Sequence, residues 1–310
     1  MRYRTVDIII PIYRPDIKFD ILISKLLRQN YPIQKIIVVN TKSGSFPYET
    51  VGLSKKISVI EISKEEFDHG ATRNMAVQMS DAEIVVCMTQ DAVPQNYQLI
   101  EYLVAPFDDE KVGCTYARQL PAEECDTIER YTRQFNYPAK SCIKDMQSVK
   151  EMGIKAYFCS NVCAAYRRTY YDEAGGFIKK AIFNEDMIMA AHMLQLGYKC
   201  AYVSEAEVIH SHNYTCTQQL KRNFDIAVSQ LENPEVFKGI KSENEGIRLV
   251  RSTAVYLVRE KKPWLLVQLV VKSGFKYLGF LLGKNYKKLP LKLILLCSLN
   301  PKYWTNMDKE

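Results

Sequence analysis

Two carboxylates stand side by side in Phe183-Asn184-Glu185-Asp186. A carboxylate within reach of a hydroxyl can take its proton as a general base, with the neighbouring carboxylate orienting a ligand. The plainer account is capping and compensation of a helix dipole, worth about 0.3–1 kcal/mol each. Met88-Thr89-Gln90-Asp91-Ala92 follows an apolar run. An acidic residue where a strand leaves a sheet is placed to hold a divalent metal, and oxygen donors favour Mg2+ or Mn2+. A turn aspartate ahead of Pro94 is the alternative. His210-Ser211-His212 holds two of the four histidines of the chain. On a strand these two face the same side, which makes them ligand candidates. In Phe67-Asp68-His69-Gly70-Ala71-Thr72-Arg73-Asn74 a turn opens a helix whose first turn carries Arg73. A helix N-terminus with an arginine suits a phosphate.

The elements that must position these groups alternate in kind. Apolar runs at 6–10, 35–39, 58–62, 84–88 and 112–116 read as strands. Helical spacing at 17–29 and 70–80 falls between them. Such alternation predicts an α/β fold, a mostly parallel sheet flanked by helices, with ligands at the carboxyl ends of its strands. Further on, 126–135, 168–174 and 217–231 read as helices and 157–166 as a strand. The stretch 184–196 reads as a helix with Asn184 as its cap and Gly197 as its stop. Short strands are expected at 201–203 and 208–211. The pattern breaks at Asn233-Pro234, which sets a boundary between residues 1–234 and 235–310.

The last segment differs. From Pro263 to Gly283 the chain is strongly apolar, yet Gln268, Lys272 and Lys276 recur every four residues. Lys284, Lys287, Lys288 and another apolar stretch from Leu291 follow. The formal charge of the chain is +7, and residues 259–310 hold 11 Lys/Arg against 3 Asp/Glu. A basic, greasy, interrupted helix suits an anionic membrane surface; its lysines packed on a domain and merely solvated is the plainer account. Nucleic acid is not expected, because the basic residues are not interleaved with stacking aromatics. No apolar run of about 18 residues is uninterrupted, so no spanning helix is expected, and Ile8–Ile10 is too short for a signal sequence. Nine cysteines without a C-x-x-C pair argue against a disulfide framework or a zinc ribbon and for a reducing cytoplasm. Cys159 and Cys163, four apart, could share a helix face or be small buried residues.

Taken in order, Phe67–Asn74, Thr89–Ala92, Asn184–Asp186 and His210–Tyr214 resemble the inverting family-2 glycosyltransferases with the GT-A (nucleotide-diphospho-sugar transferase) fold. The likeness runs from Val6 to about Glu232 and is nearest to bacterial rhamnosyltransferases, whose tail is also similar at Lys276-Tyr277-Leu278-Gly279 and Leu289-Pro290. The C-terminal segment then becomes a helical, basic and apolar appendage. The resemblance implies that Pro11, Tyr13, Asn40, Thr41, Arg73, Thr89 and Gln90 meet the nucleotide sugar. It implies Asp91, with His210 or His212, as the metal site, Asp186 as catalytic base and Glu185 beside it. The family's acidic residue after the second strand is replaced by Asn40-Thr41, and its D-x-D element reads Thr89-Gln90-Asp91. The donor implied is dTDP-rhamnose, or alternatively a UDP-sugar. The acceptor implied is a lipid-linked glycan at the inner face of the bacterial membrane. A non-catalytic sugar-binding homologue is the other class, supported by the missing aspartate and opposed by Asp91, Glu185 and Asp186. A nucleotidyltransferase would want a Gly-rich loop where Pro11-Ile12-Tyr13-Arg14-Pro15 stands.

Overall fold

The computed structural model describes residues 3–44, 46–240 and 243–305. In chain order the first elements are β1 (Val6–Ile12), α1 (Ile17–Leu26), β2 (Lys35–Thr41), α2 (Tyr48–Val51), β3 (Ile57–Ile62), α3 (His69–Gln78), β4 (Ile84–Met88), β5 (Val93–Pro94), α4 (Leu99–Val104) and β6 (Val112–Leu120). Then come α5 (Thr127–Asn136), β7 (Cys142–Lys144), α6 (Ser148–Met152), β8 (Cys163–Arg167), α7 (Arg168–Glu173), α8 (Glu185–Gln195) and β9 (Lys199–Ile209). The chain closes with α9 (Cys216–Glu232), α10 (Pro234–Phe237), α11 (Glu243–Arg259), α12 (Leu265–Lys284), α13 (Leu291–Cys297) and α14 (Pro301–Thr305).

These elements form two units. The first comprises the described residues up to Ala122, Tyr137–Lys179 and Glu185–Ser211. The second comprises Glu123–Asn136, Lys180–Asn184 and the described residues from His212 on. The division therefore differs from a single cut at residue 234. The chain leaves the first unit twice before its final exit, and α9 belongs with the C-terminal helices.

In the first unit the sheet runs β3-β2-β1-β4-β8-β6-β9-β5, with β7 also on β9. The four strands β3, β2, β1 and β4 are parallel, as are β6 and β9, and the other pairings are antiparallel. Central parallel strands are covered on both faces, which is why β1, β2 and β4 read as continuous apolar runs. Ile8, Ile10, Val38, Ile84 and Val86 pack there with Phe19, Leu22 and Ile23 of α1. Parallel strands end at one edge, so Tyr13, Asn40-Thr41 and Thr89-Gln90-Asp91 all leave the sheet on the same side.

Three local expectations are corrected. The strands expected at 201–203 and 208–211 are one strand, β9. Its pairing with β6 slips between Val203 and Glu207, so a polar interruption there is an irregularity and not a turn. The strand expected at 157–166 begins only at Cys163, after a 3-10 turn over Gly153–Tyr157. Cys159 and Cys163 thus share no helix; both are buried free thiols. Asn184 does not stand in the extended geometry of a helix cap, because its φ is +64°. Cysteines remote in sequence do meet: the thiols of Cys114, Cys159 and Cys200 lie within 4.8 Å of one another.

In the second unit, α12 lies on α9 with backbone in contact. A Cβ on Gly279 would stand 2.1 Å from the Leu220 carbonyl oxygen, and one on Gly283 would stand 2.4 Å from that of Phe224. Only glycine allows this approach. Phe224, Val228, Tyr286, Ile294 and Trp304 form one apolar core of this unit, and Ile128, Leu257 and Leu269 form another. Helix α12 has 20 residues, and an 18-residue stretch of it has a mean hydropathy of 1.5, so by length and composition it could cross a membrane although Gln268, Lys272 and Lys276 interrupt its apolar run. Its exposed side is apolar: Val267, Val270, Val271, Leu278 and Leu281 follow one helical stripe, with Val267 72% exposed. Gln268 is exposed while Lys272 and Lys276 are half-buried, so the sequence's polar stripe turns largely inward.

Candidate active site

The site is built where α3 and α8 begin. Asp68 caps α3, its Oδ1 accepting from the backbone N–H groups of Gly70 (2.9 Å) and Ala71 (2.8 Å). Gly70 is obligatory in this turn, since a Cβ there would lie 2.0 Å from the Ile178 carbonyl oxygen. Arg73, one turn on, is only 5% exposed. Its Nη1 donates to the His69 carbonyl at 2.8 Å and to Glu185 Oε1 at 3.1 Å. Arg73 and Glu185, 112 residues apart, therefore form a buried ion pair.

Asn161, in the loop before β8, completes the pairing. Its Nδ2 donates to Glu185 Oε1 at 3.3 Å, and its Oδ1 accepts from the Tyr166 hydroxyl at 2.8 Å. Its backbone N–H donates to Asp186 Oδ2 at 2.9 Å, while the Met187 N–H donates to Oδ1 at 2.8 Å. Asp186 thus has both oxygens fixed at the start of α8. Burial pushes the Asp186 carboxyl up to about 7, with the charge of Glu185 adding to it and the two N–H groups opposing. Burial pushes Glu185 up too, but the Arg73 guanidinium, His69 and the Asn161 amide outweigh it and hold that carboxyl below its ordinary range. Two neighbouring carboxyls with separated affinities for a proton are the arrangement of an anchor and a base.

On the sheet edge, β5 pairs with the end of β9 and brings Asp91 to His210. His210 Nε2 is 3.6 Å from Asp91 Oδ1. His210 Nδ1 is 3.1 Å from Gln119 Oε1, and Gln119 Nε2 donates to Ser160 Oγ at 3.0 Å. That orientation of the amide presents an acceptor to Nδ1. Nδ1 is thus engaged by Gln119, and Nε2 is the ring nitrogen that faces Asp91. An imidazole nitrogen and a carboxylate oxygen with a gap between them fit a divalent cation. His212 is the first residue of the second unit, its ring 5.1 Å from that of Tyr214.

Gln90 is used differently from the expectation of a nucleotide contact. Its amide accepts from the Tyr13 N–H at 2.7 Å and donates to the Tyr13 carbonyl at 3.2 Å. It fixes the turn after β1, a strand that runs through Pro11 to Ile12 rather than stopping at the proline. The Tyr13 ring is flanked by Arg14 and Lys64 at 5.3 and 5.6 Å from its centroid. Asn40 and Thr41 are buried at the end of β2, and among the described residues Asn40 Oδ1 and Thr41 Oγ1 have no hydrogen-bond partner, nor does Thr89 Oγ1 after β4. Asn161 and Gln119 are the residues that sequence reasoning missed. The one available signal was the polar pair Ser160-Asn161 inside an apolar stretch.

Residues 7–175 match the model of the family described as "Glycosyl transferase family 2". The chain is 36% identical to the O-antigen chain rhamnosyltransferase RfbN of Salmonella typhimurium, covering 98% of this chain and 97% of that one. It is 37% identical to the O-antigen chain rhamnosyltransferase WbaN of Salmonella anatum, over 90% and 88% of the two chains. Among solved structures it is similar to the mannosyltransferase PcManGT from Pyrobaculum calidifontis in complex with GDP-Man and Mn2+. The TM-score is 0.59 and the identity 15%, over 99% and 85% of the chains. It is also similar to S. aureus TarS 1–349 in complex with UDP-GlcNAc, with a TM-score of 0.53 and 13% identity over 92% and 91%. The chain belongs to glycosyl transferase family 2, and the expected fold and enzyme class are borne out.

Proposed function

We propose that this enzyme transfers L-rhamnose from dTDP-L-rhamnose, with inversion, onto a lipid-linked polysaccharide at the cytoplasmic face of a bacterial membrane. The observation that carries the chemistry is the Glu185–Asp186 pair, one carboxyl held charged by Arg73 and the other raised to about 7. The full-length likeness to two named rhamnosyltransferases supports the sugar and the polysaccharide acceptor.

Asp186 is the base. An acceptor hydroxyl attacks the anomeric carbon while its proton passes to an Asp186 carboxylate oxygen. The bond from that carbon to the diphosphate oxygen breaks with both electrons leaving on the nucleoside diphosphate. Attack opposite the leaving group inverts the centre in one displacement. The N–H groups of Asn161 and Met187 fix the carboxylate, so it needs no reorganisation as the proton moves. Glu185 anchors Arg73 at the head of α3, where its cationic group faces the developing phosphate charge. Asp91 and His210 would hold a divalent ion, Mg2+ or Mn2+, which supplies charge neutralisation of the diphosphate when bound. Gln90 holds the Tyr13 turn that meets the nucleotide. The apolar stripe of α12 and the lysines after it supply the membrane-surface contact.

A calorimetric titration of nucleotide sugars, with and without Mn2+, tests this reading. Tighter, Mn2+-enhanced binding of dTDP-L-rhamnose over UDP-glucose and UDP-galactose is expected. Preference for a UDP-sugar would overturn the donor while leaving the chemistry. No binding from folded protein would favour a non-catalytic homologue.

A further inference from the structure

The second unit contains a cavity of about 490 Å³, within the usual range for small-molecule sites. Ile128, Ile226, Val250, Leu269 and Phe280 give it an apolar wall. Arg222, Lys272 and Lys276 are set into that wall. The acids nearby are already engaged. Asp126 Oδ2 takes Lys272 Nζ at 2.7 Å, and Glu129 Oε1 takes Arg133 Nη2 at 2.6 Å. Arg222 lies over the rings of Phe183 and Tyr214, 4.5 and 5.7 Å from their centroids, and pairs with no carboxylate among the described residues. Lys276 makes no hydrogen bond or ion pair among the described residues. Burial pulls its ammonium below the usual lysine range. Glu129 opposes that pull, and Lys272, Arg222 and Arg133 add to it.

A desolvated ammonium without a partner is costly, and it is retained where an anion neutralises it. The apolar wall argues against a free phosphate, which gains nothing from aliphatic surface. The same helix, α12, presents its exposed apolar stripe to the outside. Charge and wall together define an amphiphile. We propose that this cavity binds the phosphate end of a lipid, with the anion on Lys276 and Arg222 and the aliphatic chain against the apolar wall. The inference rests on the reading of a lipid-linked acceptor, since a glycan carried on a lipid phosphate has this combination of groups.

The test is a titration of the full chain with dodecyl phosphate, inorganic phosphate and the neutral dodecyl maltoside, with dTDP in excess to occupy the nucleotide site. Dodecyl phosphate is expected to bind at least ~10-fold more tightly than either of the others, a difference of one good charged contact. Lys276→Met is expected to remove that advantage, and Lys238→Met, which loses the same charge from an exposed position of the same unit, is expected to keep it. Equal binding of inorganic phosphate would overturn the lipid assignment. Equal behaviour of the two variants would show adsorption to the basic surface and overturn the cavity. Lys276→Gln with Arg222→Gln provides a second set should Lys276→Met fold poorly. Titration of dTDP-L-rhamnose into the wild-type chain separates the two readings: donor binding with no dodecyl phosphate advantage in that chain would sink the cavity alone.

Discussion

The two units treat buried charge in opposite ways. In the first, the Arg73 guanidinium meets Glu185, Asn161 ties both carboxylates of the pair, and each Asp186 oxygen accepts an N–H. In the second, Lys276 sits in an apolar cavity with its neighbouring acids engaged by other cations. In the first arrangement Glu185 Oε1 and both Asp186 oxygens are held by partners within the chain, so the carboxylates are positioned before any ligand arrives, while Arg73 Nε has no hydrogen bond among the described residues. The second is incomplete, which is the mark of a site waiting for an anion. A charge network that closes on itself positions chemistry, whereas one left open advertises a ligand.

The largest test of this contrast is at Asp186. Asp186→Asn keeps the shape but cannot accept a proton, and turnover should fall by about 10³-fold with donor affinity unchanged in calorimetry. Unchanged turnover would remove Asp186 from the chemistry. Next comes the closed network itself. Arg73→Leu leaves Glu185 buried without its cation, and chemical denaturation should show a loss of about 3–5 kcal/mol. A loss under 1 kcal/mol would mean that the pair is not closed in solution. Gly279→Ala probes the helix contact that shapes the second unit. Its Cβ has no room beside the Leu220 carbonyl, so a cost of about 1–3 kcal/mol is expected. The smallest effect is the most telling counterpart to Arg73. Lys276→Met deletes a half-buried cation, yet the ligand-free protein should melt at the same temperature or higher.

The acid–base pair also predicts pH behaviour. Turnover should rise with pH and level off above about 7, as Asp186 loses its proton. Its folded value lies above the ordinary aspartate value of about 3.9. Between those two values the folded chain holds a proton that the unfolded chain has released. Stability from this group is therefore present at low pH and declines as pH rises through the window. Asp186→Asn should flatten that slope in denaturation curves measured from pH 4 to 7. Glu185 works the other way, its stabilisation present above the ordinary glutamate value and lost as pH falls through its lowered one.

Much of this was legible in residues whose neighbours are local. Strands β1, β2 and β4 are covered on both faces, so their central residues are apolar runs, with buried Asp7 the one charged residue inside β1. Arg73, Asp91 and Glu185-Asp186 stand at helix starts or strand ends, where a charged side chain is conspicuous. Asn161 and Gln119 were not legible, because an amide inside an apolar stretch carries no charge and its partners are 24 and 91 residues away. Gln90 looked like a ligand contact, but its amide is spent on the Tyr13 backbone. The stripe at Lys272 and Lys276 was visible, but periodicity gives a face and not its direction; Gly279 and Gly283, by admitting α9, turn it inward.

The most direct test of the account is transfer of labelled rhamnose from dTDP-L-rhamnose into the organic-extractable glycolipid of bacterial membranes, by wild type and by Asp186→Asn, with donor affinity measured on both. The account predicts incorporation by the wild type, a loss of about 10³-fold in the variant, and equal donor binding. Equal incorporation by both proteins would contradict it.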